Sequence, residues 1–233
     1  MIESSGEFTR IIDQTKYFGQ PAAIRAFNPS DKMDVQRLFD TIHSPQSEQY
    51  LLEVSDMNMD DVRRWSGRRG QAHRKQECMF AISGAAESVD TSEVGEVQGF
   101  MNSYLLDEDL RQRSIEAGLM EDSEFPIFEI STGKKPGYPQ GVIESGIIQA
   151  CFQLNSMVDS LHQHETLPQL QIVAYIEPNN TDAIKLIERC GFDKRGSIKY
   201  DVADPVEDNL YQINWEKAQQ ILHQAADPHV TST

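Results

Sequence analysis

Apolar positions along the chain follow two rhythms, and the changes of rhythm mark its elements. An apolar run at Ala23–Phe27 ends in Asn28-Pro29-Ser30-Asp31, a turn and helix cap. Val35, Leu38, Phe39 and Ile42 then recur at helical spacing until His43-Ser44-Pro45 breaks it. Met59, Val62 and Trp65 predict a second helix that closes at Gly67 and Gly70. Strand character starts at Cys78–Ile82, stops at Ser83-Gly84 and resumes over Val94–Leu105, which reads as a hairpin. Phe125–Thr132 predicts a further strand, followed by the turn-rich loop Gly133–Gly141. Directly after it, Ile143, Ile147, Cys151, Leu154, Val158 and Leu161 form one continuous helical stripe. Leu170–Ile176 predicts a strand, and Pro178-Asn179-Asn180-Thr181 turns and caps a helix. In that helix Ala183, Leu186, Ile187 and Cys190 share a face, and Gly191 stands as the glycine just past its end. Ser197–Val202 and Asn209–Trp215 are two more strand candidates around an acidic turn with Pro205.

This order predicts one mixed α/β domain over residues 21–217. It is preceded by an N-terminal arm (1–20) and followed by a helix end and flexible tail (218–233). At 233 residues and 39% hydrophobic content, the chain is long enough to bury its own core. No apolar run approaches the ~18–20 residues of a membrane helix, and the polar, acidic start does not resemble a secretory signal. Three cysteines without a C-x-x-C spacing point to buried thiols in a reducing, cytoplasmic setting. No metal-ligand spacing is present; His162 and His164, after the long helix, read as surface residues.

The formal charge of −16 repels polyanions and argues against nucleic acid as a partner, and membrane association is not expected. Charge is unevenly spread. Residues 87–124 hold eleven carboxylates against Arg111 and Arg113, whereas residues 63–75 hold six cations and no acid. Two readings fit: solvated faces, or a cationic ligand near the acidic stretch and an anionic one near the basic stretch.

The strand, glycine-bearing loop and amphipathic helix around residues 126–161 make an anion site, because the first N–H groups of the helix lack internal partners. Lys134 and Lys135 add charge. Neither a Walker loop nor a dinucleotide-binding glycine pattern occurs. The segment Ile172–Phe192, with Asn180 at a helix start, then Ala183 and the closing Gly191-Phe192, resembles the strand-to-helix signature of the GNAT N-acetyltransferase superfamily. More weakly, the resemblance spans about Ala23–Trp215.

The resemblance implies an α/β fold: a mixed, largely antiparallel sheet flanked by helices, with central strands near 126–132 and 170–176 that splay apart. Acetyl-CoA would lie in the gap as co-substrate, against Ile130 and Thr132, with its pyrophosphate at the start of the 142–161 helix. The loop residues implied are Lys134, Lys135, Gly137, Gln140, Gly141, Val142 and Ile143, with Asn180 across the gap. The family's loop reads Gln/Arg-x-x-Gly-x-Gly/Ala. Aligned on Gly141, Tyr138 and Ile143 depart from it; aligned on Gly137, Lys134 fits better but Pro139 lacks an N–H.

Many family members carry a Tyr in the last of these helices as proton donor to the leaving thiolate; Ile187 stands there and cannot transfer a proton. Tyr175 is the nearest phenol in sequence, and it also reads as a half-buried strand residue. Glu129, between Phe128 and Ile130, is a carboxylate where apolar residues are expected; buried, it could serve as general base. Alternation equally allows Ile127, Glu129 and Ser131 to form a solvated face. Glu96 is the second choice of base. The insertion at 107–124, with a weak helical pattern at Leu110, Ile115 and Leu119, either overhangs the acceptor groove or is a solvated loop. The expected function is acetyl transfer to a primary amine, of a small molecule or a peptide, with a homodimer left open. The alternative is a GNAT-like module that has lost catalysis and binds a ligand or protein.

Overall fold

The computed structural model describes residues 16–17, 20–45, 56–71, 78–84, 97–134, 141–161 and 169–226. The arm up to residue 15, the tail from 227, His162 and His164 lie outside the described residues. The strands are β1 (Lys16–Tyr17), β2 (Gln20–Ala26), β3 (Cys78–Gly84), β4 (Val97–Leu105), β5 (Phe128–Lys134), β6 (Ile172–Ile176), β7 (Phe192–Ile198) and β8 (Asp208–Ile213). The helices are α1 (Lys32–Ile42), α2 (Met59–Gln71), α3 (Glu108–Glu116), α4 (Val142–Leu161), α5 (Thr181–Arg189) and α6 (Trp215–Ala226). All strands join one sheet in the order β1-β2-β3-β4-β5-β6-β8-β7, and every neighbouring pair is antiparallel except β5–β6. That parallel pair is joined by α4, since a parallel connection needs a crossover.

One face of the sheet packs on α4. Ile143, Ile147, Cys151, Leu154 and Val158 are all buried there against Ile24, Ile82, Met101, Phe128, Ile130 and Ala174. The opposite face carries two separate cores. Phe27, Val35, Leu38, Ile42, Val62, Met79 and Phe100 form one beneath α1 and α2. Leu106, Leu110, Met120, Ile127, Val173 and Leu210 form the other beneath α3. Between them runs a seam of buried polar side chains, Asn102 and Glu129.

Most elements fall where the hydropathy pattern predicts them; the acidic insertion, β7 and the start of α6 differ. The acidic insertion folds into α3, capped by Asp107, whose side chain accepts from the Asp109 and Leu110 N–H groups. It is not a solvated loop, because Leu110 and Ser114 are buried and the helix covers the β6–β8 part of the sheet. A second difference is β7, which begins at Phe192 rather than Ser197 and ends at Ile198. Its Asp193-Lys194-Arg195 segment hides the strand because β7 is a sheet edge facing solvent. Trp215 starts α6 instead of ending a strand, and its indole N–H donates to Leu170 O at 2.9 Å. Gly191 has φ of +86° and follows α5 as the sequence suggests; a Cβ there would lie 2.9 Å from Ala218 N. Among the described residues no helix is long and apolar enough to cross a membrane.

The start of α4 depends on a missing side chain. A Cβ on Gly99 of β4 would lie 2.6 Å from Ile143 Cδ1 and 2.7 Å from Gly133 O. Ile143 therefore fills space that Gly99 vacates and is held in the core at 2% exposure. Gly99→Ala is expected to lower unfolding stability by about 1–3 kcal/mol through overpacking, read as a shift in the urea midpoint.

Candidate active site

β5 and β6 pair at only two positions, Phe128↔Ile172 and Glu129↔Val173. Beyond them β5 continues along β4 to Lys134, while β6 continues along β8 to Ile176. The two half-sheets thus diverge from Glu129 onward. The Phe128 N–H donates to Gln171 O at 3.0 Å, so strand alternation turns the main-chain groups of Ile130 and Thr132 to the same side, toward the gap. The helix that follows β5 in the chain, α4, starts at Val142.

Glu129 sits where the strands part, 4% exposed. It stands opposite Tyr104 of β4 and on the face that carries α3. Its Oε1 accepts from Tyr104 Oη at 2.8 Å and its Oε2 from Tyr200 Oη at 3.2 Å. Burial, then the charge of Glu129, pushes the Tyr104 phenol well above its ordinary value, so it remains a donor at neutral pH. Tyr200 comes from the β7–β8 turn, which α3 clamps from outside. Arg113 donates to Lys199 O at 2.7 Å and Tyr200 O at 3.0 Å while its Nε bonds Asp109 at 2.8 Å. The carboxylate is therefore buried, hydrogen-bonded by two phenols and placed where the two strands part.

Tyr175 lies near but on different partners. Its hydroxyl lies 3.1 Å from Ser114 Oγ and contacts Met120 Sδ, and its ring meets Tyr200 edge-on at 5.4 Å between centroids. Burial raises its pKa to about 12. It is protonated at neutrality, yet its hydroxyl is engaged with α3, and it supports the wall of the site. The half-buried strand reading of Tyr175 fits this placement.

At the start of α4, Val142 and Ile143 are buried. Glu144, in the first turn of α4, is 3% exposed and accepts from Gly141 N–H at 2.8 Å. Arg189, ending α5, holds the same carboxylate through Nε at 3.0 Å and Nη2 at 2.8 Å. Gly141 (φ +103°) and Glu144 thus form a capping pair at the helix start. Asn180 Oδ1 accepts from Ala183 N–H at 3.2 Å and caps α5, so that atom is committed to the helix. Ile187 is buried in the α4-side core and does not reach the gap. Lys134 is exposed at the end of β5. Glu96, Lys135, Gly137 and Gln140 lie outside the described residues.

Glu129 stands at the last β5–β6 pair, Ile130 and Thr132 on the stretch of β5 beyond it, and Gly141, Val142 and Ile143 at the start of α4. Glu144, Arg189, Tyr104, Tyr200 and Arg113 were not found from sequence. A signal existed for Glu144, a carboxylate three residues after a cap position. Tyr104 became visible only with the β4–β5 register, and Tyr200 and Arg113 only with the docking of α3. In the basic stretch, Arg63 and Arg64 pair with Asp60 at 3.2 Å and Asp61 at 2.5 Å, as a solvated helix face does.

No protein-family model matches the sequence, and no curated protein matches it. Solved structures do match the fold. An uncharacterised protein from Bacillus halodurans aligns with a TM-score of 0.59 and 15% identity, covering 90% of this chain and 92% of that one. A GNAT-family acetyltransferase from Bacillus anthracis aligns at 0.55 and 16% identity, covering 84% and 95%. RimL, a ribosomal L7/L12 α-N-protein acetyltransferase, aligns at 0.53 and 13% identity, covering 88% and 92%. The chain has a GNAT-like fold.

A further carboxylate near the end of β6 is perturbed. Asp208, half-buried at the start of β8, has its pKa raised to about 6 by burial and by the charges of Glu177 and Asp204. A raised folded-state pKa means the charged form destabilises the fold above pH 6, and protonation relieves this as pH falls toward 4. Asp208→Asn is therefore expected to stabilise the protein at pH 7.5 by about 1 kcal/mol after allowance for solvent screening. The gain should vanish near pH 4, as read by thermal melts across that range.

Proposed function

We propose that this chain is an acetyl-CoA-dependent N-acetyltransferase acting on a primary amine. The observation that carries the reading is Glu129: a buried carboxylate, held by two phenols, at the point where two central strands part. The GNAT-like fold supports it, and among the solved structures with that fold is an aminoglycoside acetyltransferase in complex with coenzyme A and kanamycin (TM-score 0.53, 13% identity, covering 85% of this chain and 98% of that one).

The residues around the gap fit an acyl-CoA. The unpaired edge of β5 at Ile130 and Thr132 offers main-chain groups to an amide-bearing chain. The first turn of α4 offers N–H groups to phosphates, and Ile143 leaves its mouth clear by packing inward. Acetyl-CoA supplies the acetyl group already activated as a thioester. The chain's own part is to bind the amine beside Glu129, accept its ammonium proton on a carboxylate oxygen, and free the nitrogen lone pair. Tyr104 and Tyr200 keep the carboxylate oriented while it does so. A main-chain N–H on the β5 edge polarises the acyl oxygen.

Isothermal titration with acetyl-CoA and CoA, followed by an amine screen, tests the reading. Micromolar cofactor binding is expected. Glu129→Gln should bind acetyl-CoA as tightly as the native chain while lowering kcat by about 10²–10⁴. No heat at millimolar acetyl-CoA, or native turnover in Glu129→Gln, would overturn it, and the ligand-binding module would replace it.

A further inference from the structure

The seam between the two cores holds a further buried side chain, one atom of which has no hydrogen-bond partner. Asn102 of β4 is 1% exposed, and its Oδ1 has no hydrogen-bond partner. Strand alternation places it on the same face as Phe100 and Tyr104, the face of Glu129. Its cross-strand neighbours are Ser131 on β5 and Met79 on β3. Ser131 is half-buried and lies one alternation step from Glu129 on the same strand face. Beyond Asn102 the apolar Met79 and Phe100 close the track into the core beneath α1 and α2.

A buried acceptor without a donor costs stability, and folded proteins rarely keep one unless something binds there. Asn102 lies two residues from Tyr104, and so two residues along the sheet from Glu129, a separation of about 6.5 Å along the strand. We propose that Asn102 is the second anchor of the acceptor site. It takes a hydrogen bond from an N–H or O–H donor that the amine substrate carries about five single bonds from its reacting nitrogen. The acceptor is then a short bifunctional amine, an amino alcohol or diamine, rather than a simple alkylamine. This rests on Glu129 as the residue that meets the reacting amine.

The test compares n-butylamine with 4-amino-1-butanol, which differ only by a terminal hydroxyl at that distance. Affinities are measured by titration of the full chain. The amino alcohol is expected to bind about three- to tenfold tighter than butylamine, the range one buried hydrogen bond supplies. In Asn102→Leu the ratio should fall to about one, and the variant should melt no lower than the native chain, because an unpaired buried acceptor has been removed. Equal affinities in the native chain, or a ratio that survives Asn102→Leu, overturn the inference. Should that variant not fold, the 15N side-chain amide of Asn102, assigned through Asn102→Asp, must shift with the amino alcohol and not with butylamine; no shift overturns it. Acetyl transfer is scored separately. Turnover of both amines without discrimination sinks the Asn102 anchor and leaves Glu129 as base. Discrimination in binding without any turnover leaves the anchor and sinks the transferase reading.

Discussion

The short parallel ladder between β5 and β6 is the constraint on which the rest depends. Two pairs bind the strands, and then each strand follows its antiparallel partner away from the other. A sheet interior that opens in this way would expose main-chain groups and apolar side chains on both edges. α4 makes the opening tolerable from beneath, because its stripe packs at once on Met101, Phe128 and Ile130 from one half-sheet and on Ala174, Phe192 and Tyr211 from the other. The edge of β5 is left with main-chain groups that no strand satisfies, and a ligand rich in amides is the natural complement.

The same division appears on the opposite face as two apolar cores with a seam between. A single continuous core would have excluded Tyr104, Glu129 and Asn102. With the core split, Glu129 and Asn102 are buried and Tyr104 half-buried between two apolar clusters. A buried carboxylate is costly unless hydrogen-bonded, and here the two phenols supply that compensation from different elements, β4 and the β7–β8 turn. Arg113 of α3 binds that turn through the Lys199 and Tyr200 carbonyl oxygens. The acidic insertion thus holds the turn that carries one of the phenols bonded to the carboxylate. Several of its remaining charges pair within the helix or its flank, as Arg111 does with Glu108 at 3.3 Å and Asp122 at 3.1 Å.

What the sequence made legible were elements with strong periodicity and local chemistry. The α4 stripe, the Asn180 cap and the Gly191 terminator are each encoded within a few residues, and each is found in place. β7 was shifted because an edge strand with one solvated face has too few apolar positions to show a period. Glu129 could be noticed as a carboxylate in an apolar strand, but not decided, because alternation alone does not say which faces are covered. Covering comes from α3, twenty residues of weakly patterned acidic chain earlier. Tyr104, Tyr200 and Arg113 were hidden for the same reason: their roles arise from contacts between elements far apart in sequence.

The start of α4 is shaped by its neighbours in three dimensions. Ile143 packs inward, into the volume that Gly99 on β4 leaves open. Glu144 changes the electrostatics more than Ile143 changes the shape. A carboxylate in the first turn takes up part of the favourable field at the helix start and occupies the Gly141 N–H. Left alone it would repel a phosphate, but Arg189 neutralises it through two nitrogens, and that guanidinium is one-third exposed. Among the described residues, the cation paired at the start of α4 is therefore Arg189. Because Arg189 closes α5, which follows β6, the charge balance at the mouth of one half-sheet is set by a residue carried on the other.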